Sequence, residues 1–160
     1  MGIGIITIFL FCFFLGCIAG LRSLTAPAAV CWGAHLGWLH FSGTKLAFID
    51  HNATLIIFTL LALLELIADK LPKTPARTAA PGLSARILMG AFCGYALAVS
   101  TGGNLIVAAV AGIIGALVGT FGGYNIRHVL VTGSRLPDFP VALVEDLIAI
   151  AGGFLIVSRL

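Results

Sequence analysis

Apolar runs close to 18 residues long recur along the whole chain, and they decide what solvent it can fold in. About 20 residues of helix cross a bilayer core. Six such segments can be drawn, at 3–21, 24–39, 53–69, 85–99, 104–124 and 141–157. Only 9% of the 160 residues are charged, against about 25% in a soluble domain, and the mean hydropathy is +1.14. Water is therefore excluded as the solvent for most of the surface. The expected fold is all-α, a polytopic transmembrane helix bundle of about six membrane segments, forming one integral membrane domain over 1–160. The second segment is short, with Pro27 near its start and His35 inside, so a re-entrant path is the alternative to a crossing for it.

Loop charge sets an orientation. With six crossings and the basic stretch 70–86 on the cytoplasmic side, Arg22, Lys70, Lys73, Arg77, Arg86, Arg127 and Arg135 fall inside, and Lys45 and Arg159 outside. That seven-to-two ratio fits the positive-inside rule; with segment two not crossing it becomes six to three. Six crossings is preferred. The net charge of +3 then reports membrane orientation and not nucleic-acid binding. The first 21 residues lack a basic start and are too apolar for an ordinary signal peptide, so a retained first helix is expected despite the Leu-Gly-Cys at 15–17.

Helix punctuation agrees. Asp138 before Pro140 looks like an N-cap with proline in the first turn, and Thr25 before Ala26-Pro27 would begin segment two the same way. Pro72, Pro75 and Pro81 are expected to keep the central loop extended.

Charge inside the apolar segments carries the functional question. The stretch 60–81, LLALLELIADKLPKTPARTAAP, sets Glu65 and Asp69 four residues apart, on one helix face near its cytoplasmic end. Glu145 and Asp146 lie in the second turn of the last segment, and Arg22 and Arg127 end two others on the same side. Two arginines and four carboxylates are thus expected in one layer. A lone charge at the bilayer centre costs about 2.5–3.5 kcal/mol, and pairing Arg22 or Arg127 with Glu65 or Glu145 would remove most of that.

One reading makes these ion pairs that anchor helix ends. The other makes Arg22, Glu65, Asp69, Arg127, Glu145 and Asp146 a cytoplasm-facing binding pocket. There, arginine would hold an anionic group such as a lipid phosphate or carboxylate, and Glu65–Asp69 a proton or cation. Two points favour the pocket: like charges at i,i+4 repel, and 22–25 precedes a helix N-terminus, whose free N–H groups attract an anion.

Lesser features have plainer readings. Ala111, Gly115, Gly119 and Gly123 repeat every four residues, as do Gly16/Gly20 and Gly90/Gly94. Small residues at this spacing let membrane helices approach, inside the bundle or in a homodimer. His35, His40 and His51 with Asp50 show no ligand motif, so no metal is expected. The cysteines Cys12, Cys17, Cys31 and Cys93 read as small buried hydrophobes, Trp32 and Trp38 as interfacial anchors, and Asn104 as a helix-end residue. LLELIA at 63–68 echoes LVEDLIA at 143–149, and GLR at 20–22 echoes GYNIR at 123–127, a faint sign of duplication. No enzyme signature or cofactor motif occurs, although a lipid-modifying enzyme using Glu or His stays open.

AGLRSLTAP at 19–27, LELIADKLP at 64–72 with its proline-rich continuation, and GGYNIRH at 122–128 resemble a family of small bacterial integral membrane proteins classed as a domain of unknown function. The likeness spans most of the chain. It implies a multi-pass protein of a bacterial inner membrane and transfers no catalytic or ligand role to Arg22, Glu65 or Asp69. The function expected is a small transporter or lipid-interacting transport protein, its partners membrane lipids and a small anion, cation or proton. The alternative is a non-transporting scaffold or subunit whose charges are structural ion pairs.

Overall fold

The computed structural model describes residues 4–69, 79–133 and 137–160. Among them the chain is helical and has no strand. The helices are α1 (Ile5–Leu21), α2 (Thr25–His35), α3 (Asn52–Ala68), α4 (Ala80–Thr101), α5 (Leu105–His128), which runs on as a π-turn over Val129–Gly133, and α6 (Asp138–Val157), with a 3₁₀ turn at Ala47–Asp50 before α3. Three stretches are long and apolar enough to cross a membrane: Ala80–Thr101, Leu105–Gly133 and Asp138–Val157. The apolar α1 and α3 are shorter. Much of the exterior is apolar, with Ile56, Leu64, Ile106, Ile126, Leu147 and Ile148 all more than half exposed.

Glycine sets the centre of the bundle. A methyl group at Gly16 would strike the backbone of Gly112, one at Gly115 the carbonyl of Phe13, and one at Gly119 that of Cys17. Phe13 and Cys17 thus meet Gly115 and Gly119, as Gly16 and Gly20 meet Gly112 and Ala116, and each pair rises along both helices, so α1 and α5 lie side by side in parallel. Gly90 and Gly94 of α4 meet Gly112 and Ala108 on α5, now in opposite order, so α4 is antiparallel to α5. Backbones this close gain dispersion contacts that hydrocarbon does not replace. The glycine repeats are thus used for packing within the chain.

Helix α2 lies within the bundle, with eight of its eleven residues buried, Thr25 to Cys31 and Gly33. Ala29 and Gly33 face Gly153 and Val157, so α2 runs parallel to α6. Trp32 donates Nε1–H to Thr59 Oγ1 at 3.1 Å, which puts α3 antiparallel to α2. Trp32 also packs on Phe154, so this half-buried side chain joins three helices. At 1.5 Å per residue α2 is about 16 Å long, half a hydrocarbon core. It ends where Gly37 takes φ +76°. The chain then folds back over the bundle end, where Leu39, Phe41, Leu46 and Ile49 are buried and His40 N donates to Ser100 Oγ at 3.0 Å. Segment 24–39 is therefore a short internal helix and a capping loop.

One boundary differs from expectation and another agrees with it. Pro81 stands in the first turn of α4 and not in an extended loop; proline there loses no helical hydrogen bond. Asn104 caps α5, accepting from Ile106 N and Val107 N at 3.1 Å. Pro72, Pro75, Lys70, Lys73, Arg77 and Arg135 lie outside the described residues. The echo between segments also divides: α1 and α5 are parallel, with Arg22 and Arg127 at the same end, whereas α3 and α6 are antiparallel. The LLELIA and LVEDLIA matches therefore do not belong to one repeated unit.

Candidate functional site

The charges sort into two tiers where the sequence suggested one layer. The inner tier is built on the turn between α1 and α2. Arg22 N still donates to Ile18 O at 2.8 Å, so the last turn of α1 holds the residue in place, and its side chain is 0% exposed. The guanidinium pairs through Nη1 with Asp69, just after α3. Its Nη2 lies 2.6 Å from Asp146 Oδ1 on α6.

Glu65 takes a different partner. Its Oε1 accepts from Ser23 N at 2.7 Å and Ser23 Oγ at 2.6 Å, and its Oε2 accepts from Leu24 N at 2.8 Å. These N–H groups belong to the N-cap residue of α2, Leu24, and the residue before it, so a carboxylate from α3 fixes the turn into α2 and stands near the positive end of the helix dipole. Thr25, the cap expected from sequence, is buried, and its Oγ1 has no hydrogen-bond partner among the described residues. Glu65 and Asp69 do share a face, and their like charges are separated by purpose: one binds backbone, the other arginine. The anion expected at this helix N-terminus is supplied by the chain itself.

Arg86 was read as a loop residue, but it is buried, 5% exposed, with Nη1 donating to Gly82 O at 3.1 Å. Gly90 packs against Gly112 and Ala116, and Gly20 against Ala116 to Thr120. One turn before Gly90, Arg86 therefore stands at the height of the α1–α2 turn. Its sequence signal was Pro81, which starts α4 early enough to carry Arg86 into the bundle.

The outer tier joins α5 to α6. Arg127 grips Asp138 with both arms of its fork, Nε to Oδ1 at 2.8 Å and Nη2 to Oδ2 at 2.7 Å. Its Nη1 is 3.7 Å from Glu145 Oε2. Asp138 is the first residue of α6, and the carboxylate expected to cap that helix is drawn to Arg127. Glu145 and Asp146 are neighbours in sequence, yet about 100° of helix rotation sends one to each tier. Eight residues of α6 put Asp138 about 12 Å along the axis from Asp146, while Glu145 lies nearly level with Asp146, so the outer tier spans that distance.

An open cleft of about 520 Å³ adjoins the outer tier. Its exposed surface is wholly apolar, with Leu21, Ile126, Leu130, Val144 and Ile148 among its walls, and Arg127 and Glu145 border it through their carbon chains. That volume is ample for a small ligand or a lipid chain. On the far side of the bundle, no group of three His, Cys, Asp or Glu among the described residues could hold a metal ion.

The six residues singled out from sequence thus divide. Arg22, Asp69 and Asp146 form one ion-paired knot, Glu65 caps α2 beside it, and Arg127 and Glu145 line a separate cleft. Neither Arg22 nor Arg127 pairs with Glu65. No curated protein and no solved structure matches the chain. The family model for the Domain of unknown function (DUF4126) matches residues 9–158, nearly the whole length, and the chain belongs to that family.

Proposed function

We propose that this is a small lipid-interacting transport protein of a bacterial inner membrane, in which the cleft beside Arg127 and Glu145 receives the ligand from the cytoplasmic side. The observation that carries the reading is the joining of an open apolar cleft to an ion pair that solvent or ligand can reach: the Arg127 side chain is 20% exposed and that of Asp138 58%. A surface pair of this kind is worth about 0–1 kcal/mol, so a ligand can compete for the guanidinium. Arg22 supports a different role. Its complete burial between Asp69 and Asp146 fits a knot that holds α1, α3 and α6 together while the cleft works.

A homodimer that completes the pathway belongs to the same proposal. It would use outer helix faces, because Gly16, Gly20, Gly90, Gly94, Gly115 and Gly119 already meet backbone inside the chain. The second reading, a non-transporting scaffold, is favoured by that same Arg22 knot, whose charges are consumed in holding helices. Reconstitution separates the two. Vesicles carrying the purified protein and a fluorescent phospholipid should show faster exchange between leaflets than protein-free vesicles, and Arg127→Ala should slow it. A folded protein that leaves the exchange rate unchanged supports the scaffold.

A further inference from the structure

We infer that the space between the first turn of α2 and the Arg22 guanidinium is a water-binding site inside the bundle, which hydrates the knot of Arg22, Asp69 and Asp146 from within. Two buried polar groups point to it, neither with a hydrogen-bond partner among the described residues. One is Arg22 Nε, on a side chain 0% exposed. The other is Thr25 Oγ1, on a residue 5% exposed. A buried donor with no acceptor loses its hydration and gains nothing for it, and in native proteins ordered water meets such groups.

Both groups belong to one place. Ala29 faces Gly153 and Gly33 faces Val157, so α2 and α6 run parallel and in step. Asp146 lies seven residues before Gly153, and Thr25 four before Ala29, which sets Asp146 about 5 Å beyond the N-terminal end of α2. The Arg22 guanidinium, whose Nη2 is 2.6 Å from Asp146, is therefore held off that end, where the first-turn N–H groups point. Those groups have no acceptor within the helix. Leu24 N donates to Glu65 and Pro27 has no N–H. The N–H groups of buried Thr25 and Ala26 thus face the same space as Arg22 Nε.

Donors dominate this space, so its occupant must offer an oxygen acceptor, and charge decides which. Among the described residues here the carboxylates Glu65, Asp69 and Asp146 outnumber Arg22 and Arg86, so a further anion is repelled. A neutral oxygen with hydrogens of its own fits. Water accepts from Arg22 Nε–H and from a first-turn N–H, and gives its hydrogens to Thr25 Oγ1, which both donates and accepts, or to the Asp146 carboxylate. That meets the two to four polar partners a buried water needs.

The test is hydroxyl-radical footprinting by brief X-ray radiolysis of the full chain in detergent, because radicals born from a held water oxidise the side chains beside it. Pro27 in the first turn of α2 is as buried as Leu15 and Leu97 in the core. It should be oxidised several-fold faster than either. Thr25→Val keeps the shape and loses the hydroxyl, so it should lower both the unfolding midpoint and the Pro27 oxidation, and Thr25→Ser should retain both. Pro27 as protected as Leu15 and Leu97 overturns the site. So does a Thr25→Val midpoint that rises or holds, since a dry, unmet hydroxyl is better removed. A midpoint that climbs with phosphate or chloride at constant ionic strength, with Pro27 becoming protected, puts an anion there and overturns the assignment to water. If Thr25→Val fails to fold, the footprint of the unmodified protein decides.

Discussion

Arg22 and Arg127 end two parallel helices with the same charge, and their surroundings make them opposite cases. Arg22 is 0% exposed between two carboxylates, so Arg22→Ala leaves Asp69 and Asp146 facing each other in the bundle. Breaking a buried pair this way costs about 3–5 kcal/mol, and the variant should unfold at markedly lower temperature in detergent. Adding Asp69→Asn and Asp146→Asn to it should recover much of the loss, because the uncompensated charge is then gone. Arg127→Ala opens a pair whose acid is 58% exposed and should cost under about 1 kcal/mol. Glu65 follows the rule for caps. Glu65→Ala strips three hydrogen bonds from the start of α2 and should destabilise by about 1–2 kcal/mol, with Glu65→Gln intermediate, both read as unfolding midpoints. The charges themselves were legible in the sequence, because an acid in an apolar run is conspicuous. Their partners were not, because i,i+4 spacing fixes a face and says nothing about which helix that face will meet.

At the scale of the helix, packing distance governs. A methyl at Gly115 would land on the Phe13 carbonyl, whereas one at Gly122 has nothing within 4 Å. Gly115→Ala should therefore force α1 and α5 apart and cost at least about 1–3 kcal/mol. Gly122→Ala should be neutral or stabilise by up to about 1 kcal/mol through helix propensity; the pair of unfolding curves checks both. The four-residue glycine spacing was readable as a close-packing face, and α5 uses it that way. The length of α2 was harder to read. Apolar residues 36–39 continue the run beyond His35, but Gly37 at φ +76° ends the helix and turns Leu39 into a plug. Pro81 misled in the opposite sense, since the same residue that closes one segment opens the next.

Over the whole molecule, the six apolar segments match the six α-helices among the described residues, and these run alternately between two ends. Ser42 and Ser100 lie near one end, Asp138 and Arg127 at the other, by the chain of contacts from His40 to Ser100 and from Arg127 to Asp138. Single cysteines at Ser42 and Asp138, placed in a background lacking the four native cysteines, should react with an impermeant maleimide from opposite faces of intact vesicles. Labelling of both from one face would reject this arrangement. The depth of the charges was the least legible feature. Segment boundaries are set by sequence only to within a turn, and Asp138 and Asp146, about 12 Å apart, differ by only about two turns of helix.

That depth has an electrical meaning. In an energised membrane, a full elementary charge carried across the bilayer changes energy by about 2.3 kcal/mol per 100 mV. If the bundle spans the membrane with Asp138 at its aqueous boundary, Asp146 of the Arg22 knot stands about 12 Å inward along α6, where the transmembrane potential falls. Any step that parts Arg22 from its carboxylates, or adds a proton to one of them, is therefore pushed or opposed by voltage, and the outer pair, nearer the aqueous boundary, feels far less of it.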